Sequence, residues 1–216
     1  ASDVNFVVNA GDGADLIRGG QGADTLNGGA GDDIFVLVGE ITADDRDAYQ
    51  LAGAGVVSVD IADVLDYNEL TSVRTATEVN SGDSVFGGDD TDTLHLYGSF
   101  DMSLIDIDED NDTVSEIENI VVHSNMIISA AQLAELAANG GSLIFDGNSP
   151  HSVTVVDQNG APLADALAEM VNSGVGMQLS NPGANTSFEF GGVALTLNEF
   201  YSQLATLVAD TAANLL

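Results

Sequence analysis

The chain has 216 residues, of which 35 are acidic and three are arginine, with no lysine, for a formal charge of −32. Nucleic acid is excluded as a partner, because phosphate contacts need Lys and Arg, and direct attraction to anionic lipid fails for the same reason. Without cysteine there are neither disulfides nor thiolate metal sites, and no apolar run is long enough to suggest a membrane insertion. A hydrophobic content of 44% still allows a core of real size.

In chain order, residues 1–9 (ASDVNFVVN) read as a worn copy of the nine-residue unit downstream, with Phe6 where the later units carry Asp. Residues 10–36 then spell that unit three times: AGDGADLIR, GGQGADTLN, GGAGDDIFV. A fixed period defines architecture before propensity does. Small residues hold the first two places (Gly11, Gly20, Gly28 and Gly29 among them) and glycine the fourth (Gly13, Gly22, Gly31). Asp15, Asp24 and Asp33 hold the sixth, and Ile17, Leu26 and Phe35 the eighth. Glycine permits turns at positive φ that converge carbonyl oxygens, and each aspartate adds a carboxylate. Oxygen-only donors on a tight loop suit a hard cation, calcium above all.

These units match GGxGxDxUx, with U a large apolar residue, and resemble the RTX (repeats-in-toxin) family. The resemblance implies a mainly β fold, a right-handed parallel β-roll in which two units make one turn and Ca2+ ions sit between stacked loops. It also implies export through a type I secretion exporter, with folding triggered by calcium outside the cell. The protein is therefore expected to be secreted or on the cell surface.

Residues 37–77 break the period as an acidic insertion. TADDRDAYQ at 42–50 reads as a short helix and GVVSVDIADVLDY at 55–67 as a strand. The period returns at 78–86 (EVNSGDSVF), with Asp83 in the sixth place, and at 87–95 (GGDDTDTLH), with Gly87 first, Asp90 fourth and Asp92 sixth. Asp tolerates left-handed backbone better than most residues. If two units make one turn, as the resemblance implies, units 18 residues apart stack on one side and Asp15 pairs with Asp33. If 37–77 is an excursion, Asp24 faces Asp83 and Asp33 faces Asp92; the alternative is a separate Gly/Asp turn holding no ion.

DIDEDND at 106–112 places Asp106, Asp108 and Asp110 at the first, third and fifth places of an EF-hand-type loop, with Asp112 at the seventh. The twelfth place is Ile117 rather than the bidentate Glu, which weakens the match; an acidic hairpin turn is the alternative. Strands are expected next at TLHLYG, EIENIVVHS and SLIFDG. Between the last two, Ser129 and Gln132 form a capping box for a helix that Gly140 and Gly141 stop.

The last seventy residues read as a smaller α+β C-terminal module. VTVV and SFEF are expected as strands, PLADALAEMVN as a helix opened by Pro162, and a final amphipathic helix begins with Thr196 and Glu199. That helix doubles as a candidate type I secretion signal. The organisation expected is 1–36 repeats, 37–77 insertion, 78–147 resumed roll and closing flank, and 148–216 C-terminal module.

Residues 1–118 hold 27 acids and all three arginines, while 119–216 hold eight acids. The half that bears the ligands is the charge reservoir, so repulsion should keep it expanded until divalent cations bind. No catalytic motif is present, and His95, His123 and His151 read as isolated strand or surface residues; the chain is not expected to be an enzyme. Three roles compete: a calcium-dependent structural or adhesive segment of a secreted protein, the non-catalytic end of a secreted enzyme, and a module binding peptide, glycan or a cell-surface ligand.

Overall fold

The computed structural model describes residues 4–58, 60–78, 83–104, 114–146, 151–182 and 186–213. From the N-terminus the chain lays down β1 (Val7–Asp12), β2 (Leu16–Ile17), β3 (Thr25–Ala30) and β4 (Ile34–Val38). The insertion comes next, with α1 (Ala43–Ala52), a 3-10 turn and the short α2 (Tyr67–Leu70). Strands resume with β5 (Ser84–Asp89), β6 (Thr93–Tyr97), β7 (Phe100–Asp101), β8 (Val114–Ser115), β9 (Asn119–Val122) and β10 (Asn125–Ser129). Then come α3 (Ala130–Ala138), β11 (Ser142–Phe145), β12 (His151–Val156), α4 (Ala166–Ser173), β13 (Gly176–Leu179), β14 (Ser187–Phe190), β15 (Val193–Thr196) and α5 (Leu197–Ala213).

The strands form three sheets, ordered β1-β3-β5-β8, β2-β4-β6-β9-β11-β13 and β7-β10-β12-β14-β15. Every pairing is parallel except the terminal β14–β15 hairpin. Its turn is Gly191–Gly192, both at positive φ, as a two-residue hairpin requires. The fold is thus mainly β and β-roll-like, and each circuit adds one strand to the second sheet.

The first sheet ends at β8. From there a helix takes the return path: α3 leads from β10 to β11, and α4 from β12 to β13. The helices stack, α3 on α4 and α4 on α5. Strands from either side of residue 148 share two sheets, and one apolar core runs from Ile17 to Phe200.

Period-two alternation within strands and stacking between turns explain that core. The eighth residue of each unit points inward, so Ile17, Phe35, Leu94, Ile120 and Leu143 line up across five strands, all buried. Removing one such side chain typically costs about 2–5 kcal/mol.

The insertion packs on the opposite face of the second sheet. Val36, Val38 and Tyr97 meet Ile41, Tyr49, Ile61, Leu65 and Leu70 in a second core. Thr42 and Asp45 complete the capping box of α1, which supplies the expected helix. Among the described residues of 55–67 the expected strand is not found: hydrogen bonds from Ala62 to Ser58 and from Leu65 to Ile61 make helical turns. Burying Ile61 and Leu65, four residues apart, decides the geometry over the local alternation. The helix expected from Pro162 begins at Ala166 instead, capped by Asp165, because Pro162 is engaged in a bridge with Val156.

Candidate metal centre

The unit places its sixth residue just before a strand, of the second sheet for Asp15, Asp33 and Asp92 and of the first for Asp24 and Asp83, and that residue becomes a rung. The backbone N–H of Asp15 donates to Asp33 Oδ1 at 2.8 Å, and Phe6 N–H donates to Asp24 Oδ1 at 2.8 Å. The pattern crosses the insertion unchanged: Asp24 N–H donates to Asp83 Oδ1 and Asp33 N–H to Asp92 Oδ1, both at 2.8 Å. Strand register shifts by 18 residues between β1 and β3 and by 59 between β3 and β5. The larger shift is one turn lengthened by the 41 residues of 37–77.

The rungs closed by Asp24, Asp33 and Asp92 use one carboxylate oxygen and leave the other over. Oδ2 of Asp15, Asp24, Asp33 and Asp92 is buried with no hydrogen-bond partner. Burying an unpaired carboxylate carries a penalty on the order of several kcal/mol, so these oxygens call for a counter-charge. Burial, together with Asp33, Glu118 and Asp32 nearby, pushes the Asp92 carboxyl up to about 6 despite the bond from Asp33.

Glycine makes room for these oxygens. A Cβ at Gly28 would collide with Asp33 Oδ2 and the Gly87 carbonyl, and one at Gly19 with Asp24 Oδ2. Two oxygens therefore converge on one spot above Gly28. Gly11, Gly20, Gly29, Gly13, Gly22 and Gly31 all sit at φ between +108° and +142°. The Gly11 carbonyl lies against Gly29 and the Gly13 carbonyl against Gly31, stacking backbone acceptors turn upon turn. Asp90 takes the fourth place at φ +87°, as its local backbone tolerance allows.

Among the described residues no three His, Asp or Glu side chains gather to hold a metal by themselves. Any cation here is completed by backbone carbonyls, which is oxygen-only coordination suited to a hard ion. Orphaned Oδ2 atoms and a cradle that a Cβ would fill both fit such an ion. The EF-hand-like expectation at Asp106, Asp108, Asp110 and Asp112 lies outside the described residues.

Comparison with known proteins fits this geometry. Residues 7–36 match the family model of the RTX calcium-binding nonapeptide repeat (4 copies). The chain carries a calcium-binding RTX segment. No curated protein and no solved structure matches the chain.

Three features escaped the sequence. Glu118 Oε2 accepts the Asp92 N–H at 2.8 Å, taking the place of a sixth-position Asp in a turn that has no glycine signal. Arg18, the ninth residue of the first RTX unit, reaches the insertion. It donates to Glu78 at 2.6 and 3.0 Å, to Glu69 at 2.8 Å and to the Val64 carbonyl at 2.6 Å. Burial opposes its charge, but the bonds to Glu78 and Glu69 outweigh that and hold its pKa above the usual arginine value. Glu78 also accepts Val38 N–H at 3.0 Å and donates its own N–H to the Val38 carbonyl, closing the neck of the insertion.

The histidines are the third. Far from isolated, all three reach one carboxylate through a chain of contacts. His123 Nδ1 donates to Asp146 Oδ2 at 2.7 Å, since a carboxylate only accepts. Its Nε2 then accepts from His95 Nδ1 at 3.0 Å. His151 Nε2 lies 3.1 Å from Asp146 Oδ1, close enough for an ion pair but not aligned as a hydrogen bond. Tyr97 stacks on His123 with ring centroids 3.9 Å apart. Burial pulls His95 down to about 3, with His123 adding to the effect, and burial also lowers His123. Asp146 lies below the usual carboxylate range because the contacts to His123 and His151 outweigh its burial. Stacking of turns brings these residues together, and no spacing in the sequence signals it.

Proposed function

We propose that this chain is a calcium-conditional structural segment of an exported protein, folded by cations between its RTX turns and serving a structural or adhesive role. The observation that carries the reading is the buried Oδ2 atoms of the two columns, at Asp24 in one and at Asp15, Asp33 and Asp92 in the other. Without cations these are unpaired buried charges within a chain of −32. Cations that bind only the folded column stabilise it by about 2.7 kcal/mol per site at a hundredfold excess over Kd. Extracellular calcium modules often bind at roughly 10⁻⁴–10⁻³ M, which leaves the column empty at low intracellular calcium and filled outside. RTX repeats usually accompany secretion, which supports export through a type I exporter and an extracellular address. Among the described residues no helix is long and apolar enough to cross a membrane.

The test is circular dichroism during titration of chelator-treated protein with calcium. Strand signal should appear cooperatively in the submillimolar to millimolar range, and an unchanged spectrum at about 10 mM, well above that range, would refute the reading.

A second reading, a module that binds peptide or glycan, draws on two adjoining clefts over the third sheet. One of about 320 Å³ lies between α1 and the strands, lined by Asp44, His151, Ser187 and Glu189; the other, of about 440 Å³, contains Asp101 and Thr154. Both share Asn125 and Ser152. Basic-peptide and glycan arrays probed in calcium test it; binding lost on Glu189→Gln would locate the ligand there, and no retention on either array would remove this reading.

A further inference from the structure

The carboxylate column does not end with the last glycine-bearing unit. We propose that Asp92 Oδ2, the Glu118 carboxylate and the Glu116 carbonyl form a further calcium site, one turn beyond the nonapeptides. The proposal rests on the calcium reading of Asp24 and Asp33, and its ligands are residues the repeat pattern does not mark.

Three observations carry it. First, Glu118 Oε2 accepts the Asp92 N–H at 2.8 Å, the same bond at the same length that Asp92 accepts from Asp33. The carboxylate that closes each rung is thus present, on a side chain one methylene longer. Second, Asp92 is 0% exposed and its Oδ2 has no partner, although a carboxylate is next to it in the following turn. Third, a Cβ at Gly87 would collide with both Asp92 Oδ2 and the Glu116 carbonyl. At Gly28 the colliding pair is Asp33 Oδ2 and the Gly87 carbonyl. The convergence of one carboxylate oxygen and one carbonyl over a glycine is therefore repeated one turn further on.

The backbone reaches this arrangement by another route. The β5-to-β8 register shift is 29 residues and the β6-to-β9 shift is 26, so the connecting loop is three residues shorter in the later turn. Glu116 stands at φ +56°, where a residue with a Cβ is conformationally strained. Holding its carbonyl over Gly87 gives that strain a purpose. The longer Glu118 side chain also loses more rotamer freedom on ordering than Asp. Both effects make this the weakest site of the column and the last to fill.

Its place in the fold gives it a consequence. β8 is the last strand of the first sheet, and beyond β10 the helices take over the return path. An ion here ties the RTX turns to the helix-backed turns, so calcium governs the docking of both halves.

Two measurements decide it. Crystals of the full chain grown in calcium should show anomalous density against Asp92 Oδ2 and the Glu116 carbonyl; ions on the Asp33 side with none here would overturn the proposal. Calorimetry on Glu118→Gln, which keeps an oxygen for the Asp92 N–H but removes the charge, should find one calcium ion fewer than wild type. Equal stoichiometry and affinity in the two proteins would also overturn it. If the variant does not fold, the wild-type crystal still decides. Wild type that binds no calcium anywhere would instead sink the parent reading.

Discussion

The backbone N–H of Asp33 donates to Asp92 Oδ1 at 2.8 Å across 59 residues of chain. The insertion is therefore a loop thrown out of a continuous column, and the turns on either side of it share one electrostatic fate. Asp92→Asn keeps the acceptor for Asp33 but removes the charge. At least one calcium ion should be lost and the calcium midpoint raised about tenfold or more, equivalent to about 1.4 kcal/mol. Asp12→Asn, at an exposed position, serves as the control. Calorimetry checks the count; an unchanged stoichiometry in Asp92→Asn would take this residue out of the ligand set.

Gly28 tests the cradle by sterics alone, because it is not among the glycines at positive φ. Gly28→Ala puts a methyl where Asp33 Oδ2 and the Gly87 carbonyl converge. Expected are a loss of about 1–3 kcal/mol and a weakened response to calcium. Gly55→Ala meets open space and should behave as wild type. Thermal unfolding at saturating calcium compares them, and equal melting temperatures would argue against the cradle.

Arg18 should hold the insertion against the roll. Its side chain is 13% exposed and that of Glu78 4%, so Arg18→Met leaves a buried carboxylate with Arg74 at 3.3 Å and the Val38 N–H but without its closest cation. Breaking one partner of a buried pair typically costs about 3–5 kcal/mol. Limited proteolysis in calcium should then cut within residues 43–75 well before the roll. If the insertion stays as resistant as in wild type, the clamp is not what holds it.

Acid should destabilise the calcium-loaded protein through the histidines. His95 is held down to about 3 in the fold against about 6.5 when free. Between those values the unfolded chain binds the extra proton and the folded one does not, so stability falls as pH falls through that window. The slope approaches about 1.4 kcal/mol per pH unit for one group, and His123 adds in the same sense. Asp146, lowered in the fold, loses its contribution only below the ordinary carboxylate range. Asp92 works the other way without calcium, since its raised value lets the fold take up a proton first; saturating calcium removes that effect. Denaturant titrations from about pH 7 to about pH 4, which span most of the window, test this on wild type and His95→Asn, the variant giving the shallower slope. Equal slopes would count against it.

Much of this arrangement is legible in the chain because a fixed period carries it. Position six became the rung and position eight the core, and the 41-residue insertion could be subtracted because the phase resumed after it. Glu118 was hidden because its turn keeps the geometry with neither glycine nor aspartate, at a spacing of 26 rather than 18. The meeting of His95, His123 and Asp146 was hidden because it depends on where three turns of unequal length stack. At 55–67 the local alternation misled, since the packing of Ile61 and Leu65 against Tyr97 and Val38 sets the conformation there.

The most direct measurement is hydrogen exchange on the full chain, with calcium and with chelator. Peptides covering β3, β4, β5 and β6 should be protected together in calcium and exchange together without it, because Asp24–Asp83 ties β3 to β5 and Asp33–Asp92 ties β4 to β6 in two columns of the same turns. Equal protection of these strands in chelator would contradict the calcium-conditional fold.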